Sequence, residues 1–203
     1  ESGRPDAGKQ PERPHEAEVH PRGLPACANL PDRQFHAGRG GEKRVPDITY
    51  LRATAGRAYP TVVPGLFDRK AIGRALGAGM GAAHATAAAL AVAASSRAPQ
   101  AGLIFHSGRG VHYCAQPFRA KLRERCPSAR RGMSRKGNCR DNACAGSFFK
   151  TLKRELETLD GRHAGAEAGQ PVFMYLEAYY NRARIHSALD CVAPDDFNYG
   201  QAA

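Results

Sequence analysis

Residues 1–40 show no apolar period and are rich in Pro, Gly, Arg and Glu. Such a stretch buries too little apolar surface to offset its ordering entropy, so it is expected to be a disordered or loosely attached N-terminal segment. From Val45 the pattern changes. "VPDITYL", "AYPTVV" and "LFDRKAIGRAL" are β-like runs separated by Gly-containing breaks, which predicts a three-strand meander. Pro60 and Pro64 are expected to weaken its middle strand. An alanine-rich helix near 82–95 follows, then a strand at 102–106, a helix near 115–125 and a short strand at about 129–133. After a Gly-Asn turn the spacing predicts a long helix over 142–158, with Asp141 or Asn142 as N-cap. A last helix is expected over 171–183. The order β-β-β-α-β-α-β-α-α implies an α/β fold, a mixed sheet flanked by helices, in one core domain over 41–200.

The long helix has a split face. Phe148, Leu152 and Leu156 recur at four-residue spacing with Phe149 beside them, while Lys150, Lys153 and Arg154 lie toward other faces. The apolar stripe reads as core. The lysines are either a solvated face or phosphate contacts.

Charge adds a second clue. The chain of 203 residues carries a formal net charge of +11. Residues 1–40 are balanced, with six Lys/Arg and six Asp/Glu. Residues 119–154 hold twelve Lys/Arg against Glu124 and Asp141. Concentration on that scale favours a polyanion partner, most simply nucleic acid. No run reaches the roughly 18 apolar residues that span a membrane. The chain begins with Glu1 rather than Met, so a fragment or processed product is expected. Six cysteines include no C-x-x-C pair. They read as free thiols in a reducing cytoplasm rather than a zinc site.

"GLIFHSGRGVHY" (102–113) reads as an apolar strand that breaks into a glycine-rich turn. Such a strand end is a common place to mount chemistry. Yet no carboxylate stands there. His106 could ligate a transition metal, though a lone His is more often structural.

Three blocks then align in order with one family. They are "NLPDRQF" through "KRVPDITYL", "GLIFHSGRGVHY", and "MSRKGNCRDNACAGSFFKTLKREL" continued by "YYNRARIHSAL" and "APDDF". Together they resemble bacterial insertion-sequence transposases with a retroviral-integrase-like core, over about residues 29–197. The resemblance implies an RNase-H-like fold and an Asp-Asp-Glu triad holding two divalent ions, usually Mg²⁺. Such ions activate the attacking oxygen and stabilise the leaving one in an in-line displacement at phosphorus. Carried over residue by residue, the first Asp is Asp47, the second Asp falls on Gly108 and the Glu on Gly146. The family's metal site is thereby reduced to Asp47. Between Gly108 and Gly146 lie 37 residues, slightly more than the family's usual spacer, which places the gain near 126–131.

Neighbouring acids do not replace the missing ones. Asp141 lies about 140° around the helix from Gly146, and Glu155 roughly half a turn away. Glu157 returns to the face about 16 Å further along. Other departures from the family are Arg44 in place of Trp and Gly65 in place of Asp. The helix-turn-helix region that normally precedes the core is expected to be missing.

The binding residues implied by the resemblance remain. Lys150 and Lys153 match DNA-contacting positions, Arg135 and Lys136 stand in the preceding loop, and Tyr180, Asn181, Arg182, Arg184 and His186 could meet phosphates or bases. The expected protein is of transposase type, a degenerate copy with little or no strand cleavage and transfer. Its expected partner is DNA, with a homo-oligomer or an intact transposase as possible protein partner and no membrane. The alternatives are a non-catalytic basic DNA-binding module or a non-functional remnant of a mobile element.

Overall fold

Val62 and Val63 are adjacent, fully buried, and packed into different clusters. Successive strand residues point to opposite faces, so the strand that carries them divides two layers of core. The computed structural model describes residue 23 and residues 26–53, 56–77, 83–159 and 169–202. Residues 1–22, most of the expected disordered segment, lie outside the described residues.

β1 (Lys43–Arg44) precedes the first predicted run, 45–51, which is itself split between β2 (Asp47–Ile48) and β3 (Leu51–Ala53). Pro46 has no N–H to continue a ladder. β2 and β3 pair antiparallel with β4 (Gly56–Pro64), which pairs antiparallel with β5 (Ala71–Gly77). The meander therefore holds, and its middle strand is the longest of the seven rather than a weak one. The two prolines sit where carbonyls suffice. Pro60 accepts from Thr49 N at 3.1 Å, and Pro64, at a register shift, accepts from Val45 N at 3.1 Å.

Helix α1 (Ala83–Ser96) has no strongly apolar stripe, but apart from Leu90 its buried residues are small: Ala85, Thr86, Ala87, Ala89 and Ala93. Alanine favours helix and lets the backbone approach. The approach is close: a Cβ at Gly73 of β5 would stand 2.3 Å from the carbonyl oxygen of Ala89. Next come β6 (Ile104–Ser107), α2 (Val111–Cys114), α3 (Gln116–Arg125) and β7 (Arg130–Met133). The helix expected at 115–125 is α3, set off from the short α2 before it because Ala115 is extended and Pro117 opens α3. β1, β6 and β7 run parallel in that order. An antiparallel bridge between Arg44 and Gly65 ties this half-sheet to the meander.

One face of the sheet packs Val63, Ile72, Phe105 and Met133 against Leu90 of α1 and Phe118 and Leu122 of α3. The other face is covered by α4 (Ala143–Leu159), whose Phe148, Phe149 and Leu152 meet Val62 and Ala71. The predicted stripe is the core face, and each such buried side chain contributes roughly 1.5–3 kcal/mol. α5 (Gly169–Met174) continues into a π-turn over Tyr175–Tyr180. The helix expected to reach 183 stops at 180, where Asn181 turns inward. A further helix, α6 (Pro194–Ala202), was not expected, although Pro194, Asp195 and Asp196 form a good helix start.

Two findings revise the sequence reading. Residues 26–40 include a packed strap: Ala37 is buried with Val45 and Leu66, and Met133 N donates to the Ala28 carbonyl at 3.0 Å. Arg44, where the resemblance led to an expectation of Trp, is wholly buried. Its guanidinium caps the end of α1, with Nη2 donating to the Arg97 carbonyl at 2.6 Å and Nη1 to that of Ala93 at 3.4 Å. A cation at a helix C-terminus meets the negative end of the dipole, and burial lowers the Arg44 pKa.

Candidate active site and nucleic-acid surface

Asp47 stands in β2, paired with Val62 of β4. Three residues earlier, Arg44 of β1 faces Phe105 of β6, and Gly108 follows the end of β6. The third position comes from α4. Asn142, at the end of a 3₁₀ turn (Cys139–Asn142), donates from Nδ2 to Asp47 Oδ2 at 3.3 Å. Gly146 follows four residues later, one helical turn along the same face. Of the three positions that the resemblance pairs, Asp47 is tied to the start of α4 by this Asn142 bond.

Asp47 is desolvated. Burial raises its pKa, and hydrogen bonds from Ile48 N at 2.9 Å and from Asn142 only partly oppose that rise. The Tyr113 hydroxyl is buried without a partner, and its pKa is raised well above the usual value by burial and then by the Asp47 charge. At Gly108 and Gly146 a Cβ would meet nothing within 4 Å. Neither glycine is needed for a close approach, so both sites have room for a side chain.

Of the two residues expected to cap the long helix, Asn142 stands directly before α4, whereas the Asp141 side chain is engaged elsewhere. Asn138 caps the 3₁₀ turn, accepting from Arg140 N at 3.2 Å. The Asp141 carboxylate, with no exposed side-chain surface, accepts instead from Arg135 N, Nε and Nη2 at 3.0, 2.8 and 2.8 Å and from Arg33 Nε at 3.0 Å. Hydrogen bonds from Arg135, with Arg33 behind them, hold it well below the usual carboxylate range. Its carbonyl accepts from His106 Nε2 at 2.8 Å. That fixes the proton on Nε2 and leaves Nδ1 buried without a partner. Burial lowers the His106 pKa. His106 is therefore a core residue that braces the loop.

Among the described residues no three His, Cys, Asp or Glu side chains converge to hold a metal ion. The donor set at Asp47 is one carboxylate and the Asn142 amide. That set does not fit the two-ion centre that the resemblance implies, since hard divalent ions need several anionic oxygens. Glu155 is engaged elsewhere: burial pushes its pKa up, but hydrogen bonds from Arg184 and Tyr175 outweigh that and lower it. The Glu157 side chain lies outside the described residues. The six cysteines are free thiols.

The basic residues expected to bind nucleic acid divide by environment. Lys136 and Lys150 are exposed. Lys153, half-buried, stacks its ammonium 4.4 Å from the ring centre of exposed Tyr50. Arg182 is exposed, with Asp195 at 4.0 Å. Arg135 is claimed by Asp141 and by Asp32 at 3.1 Å. Arg184 donates through Nε to both Glu155 oxygens at 3.0 Å. Asn181 faces inward: buried, it accepts from Ala71 N at 3.0 Å and donates to the Ala71 carbonyl at 3.3 Å, so a base contact is excluded for it in this conformation. Tyr180 is buried between Phe148 and His186. Sequence reasoning missed Asn142, Tyr113 and Arg69; the first lies within the "RDNACAG" block, and nothing in the local pattern marked the other two.

The half-sheet β1-β6-β7, the antiparallel meander beside it and the crossing α4 define an RNase-H-like core of the retroviral-integrase type. Solved relatives share that fold. A simian T-cell lymphotropic virus intasome in complex with PP2A regulatory subunit B56 gamma superposes with TM-score 0.66 at 11% identity, covering 87% of this chain and 59% of that one. The HTLV-2 integrase catalytic core domain in complex with magnesium, in a dimeric form, gives 0.55 at 10% identity, covering 73% and 91%. The integrase core domain family matches residues 129–194. The transposase for insertion sequence element IS904 of Lactococcus lactis subsp. lactis (strain IL1403) is 38% identical over 169 residues, 83% of this chain and 66% of that protein. Transposase InsF for insertion sequence IS3A of Escherichia coli (strain K12) is 37% identical over 177 residues, 86% and 60%. The chain belongs to this family of insertion-sequence transposases with an integrase core. It spans about three-fifths to two-thirds of the length of these two relatives. No helix among the described residues is long and apolar enough to cross a membrane.

Proposed function

We propose that the chain is a transposase-type DNA-binding core whose strand cleavage and transfer are disabled. The observation that carries this reading is the triad itself: Gly108 and Gly146 stand where two of three metal-binding acids belong, leaving Asp47. One carboxylate offers one anionic anchor, and in this protein it is desolvated and already hydrogen-bonded. In the intact family, bound Mg²⁺ would activate the attacking oxygen. What the chain retains is positive charge on α4 and its approaches, which supports salt-dependent binding that is largely independent of sequence. Lys136, Lys150, Lys153 and Arg182 are the residues best placed for phosphate contact. Arg135 and Arg184 serve chiefly to hold acids of the chain itself. A self-association, or pairing with an intact transposase, would let such a core act in the cytoplasm as a DNA-bound but silent partner. The unpaired thiols suit that reducing compartment.

The test compares Mg²⁺- or Mn²⁺-dependent nicking and joining of insertion-end DNA by this chain and by the Gly108→Asp/Gly146→Glu double variant. The unmodified chain should be silent. Activity in it would overturn the reading of a disabled centre. The double variant should fold normally, since both positions are open.

A further inference from the structure

A groove of about 510 Å³ lies between the first turns of α4, the turn joining β4 to β5, and the chain after Tyr180. Arg69, Ser147, Arg184, His186 and Ser187 bring polar groups to it. Arg69 is the unusual member. Its φ of 58° is left-handed, a conformation that a side chain adopts at a cost of roughly 1 kcal/mol or more. The turn is held there by Asp68, which is buried, accepts from Lys70 N at 3.2 Å and pairs with Arg97 and Asn198.

The Arg69 guanidinium touches Cys144 Sγ at 3.8 Å, a weak acceptor, and no carboxylate lies in ion-pair range of it among the described residues. Beside it, Arg184 is neutralised through Nε by Glu155, while its Nη1 stands 3.3 Å from the His186 ring. Burial, reinforced by Arg184 and Arg69, pushes His186 down to about 4, so the ring enters neutral. The groove therefore holds one uncompensated positive charge and a neutral imidazole. The hydroxyls of Ser147, Thr151 and Ser187 and the positive end of a 17-residue helix complete the set. Forked guanidinium donors with hydroxyls and a helix start suit a phosphate oxyanion.

We propose that this groove seats a backbone phosphate of DNA at a point separate from the Asp47 centre. The inference rests on the reading that the chain binds DNA. Ser147 of the groove is three residues from Lys150, so the two are neighbours on the surface of α4. A strand tracking the exposed lysine can reach the groove without leaving the protein.

The decisive variant is Arg69→Gly. Glycine relieves the left-handed strain, so the variant should melt no lower than the parent chain while losing the guanidinium. Arg69→Lys keeps the charge without the fork. Two readouts are needed. The first is the histidine ring NMR spectrum titrated with inorganic phosphate at constant ionic strength, with the His186 signals identified by a His186→Gln variant. The parent chain should show a saturable shift at His186, Arg69→Gly none, and Arg69→Lys a weaker one. The second is binding of a short duplex across a salt series. Arg69→Gly should weaken it several-fold and lower the salt slope by about 1. A phosphate shift at His186 with an unchanged salt slope would overturn the proposal. So would no phosphate shift in a chain that still binds DNA through Lys150. A saturable, Arg69-dependent phosphate shift in a chain that binds no duplex would overturn the DNA reading instead and leave a site for a free phosphate group.

Discussion

Removing the charge of Asp141 should loosen the loop that leads into α4. In Asp141→Asn the amide oxygen can keep two of the four hydrogen bonds, while the N–H₂ is set against the other two donors. Breaking a fully buried pair by removing one partner costs about 3–5 kcal/mol. Here both arginines are nearly half exposed, at 46% and 44% of their side-chain surface. They can rehydrate, so about 2 kcal/mol is the expected loss. For a domain of this size that is a fall of about 4–8 °C in melting temperature. The pH dependence fixes the cause. The Asp141 pKa is depressed in the folded state, so its contribution is complete above the unfolded value of about 3.9 and is lost as pH falls toward the folded one. Melts of parent and variant, followed by circular dichroism from pH 7 downward, should be furthest apart at pH 7 and converge below about pH 4. A difference under about 1 °C at pH 7, or one that persists undiminished in acid, would refute a charge-based clasp.

Asp47→Asn should act in the opposite direction. Folding raises the Asp47 pKa, so ionising it opposes folding as pH rises past about 4, and the amide variant should gain on the order of 1 kcal/mol at pH 7 in a denaturant titration. Gly73→Ala should destabilise by about 1–3 kcal/mol, read in the same titration, because its Cβ would strike the Ala89 carbonyl. Lys150→Ala should reduce the salt slope of DNA binding by about 1, measured by anisotropy. Arg135→Ala should lower the melting temperature while leaving that slope nearly unchanged, since Asp141 and Asp32 already hold its charge.

Much of the architecture was legible because local pattern and tertiary role agreed. The stripe Phe148–Leu152–Leu156 is the face that covers the sheet, and the meander's β-branched runs pair as their spacing implied. The sequence misled where a side chain's job is set by distant backbone. Asn181 looks like a surface polar residue until Ala71 is placed 110 positions away. Asp141 looks like a cap until Arg33 arrives from a strap that composition marks as loose. Arg44 looks like a stray charge, yet its reach to the end of α1 requires the sheet to bring residues 44 and 97 together. For the site, the family motif located Asp47, Gly108 and Gly146, but no periodicity could reveal that Asn142 touches Asp47 or that Arg69 is left-handed. Those facts arise only when the β6–β7 layer, the 65–70 turn and α4 meet.

The bond between Arg33 and Asp141 gives the strap a mechanical role. It fastens residue 33 to the 3₁₀ turn that leads into α4, so the strap and the start of the lysine-bearing helix are clamped together through a single guanidinium.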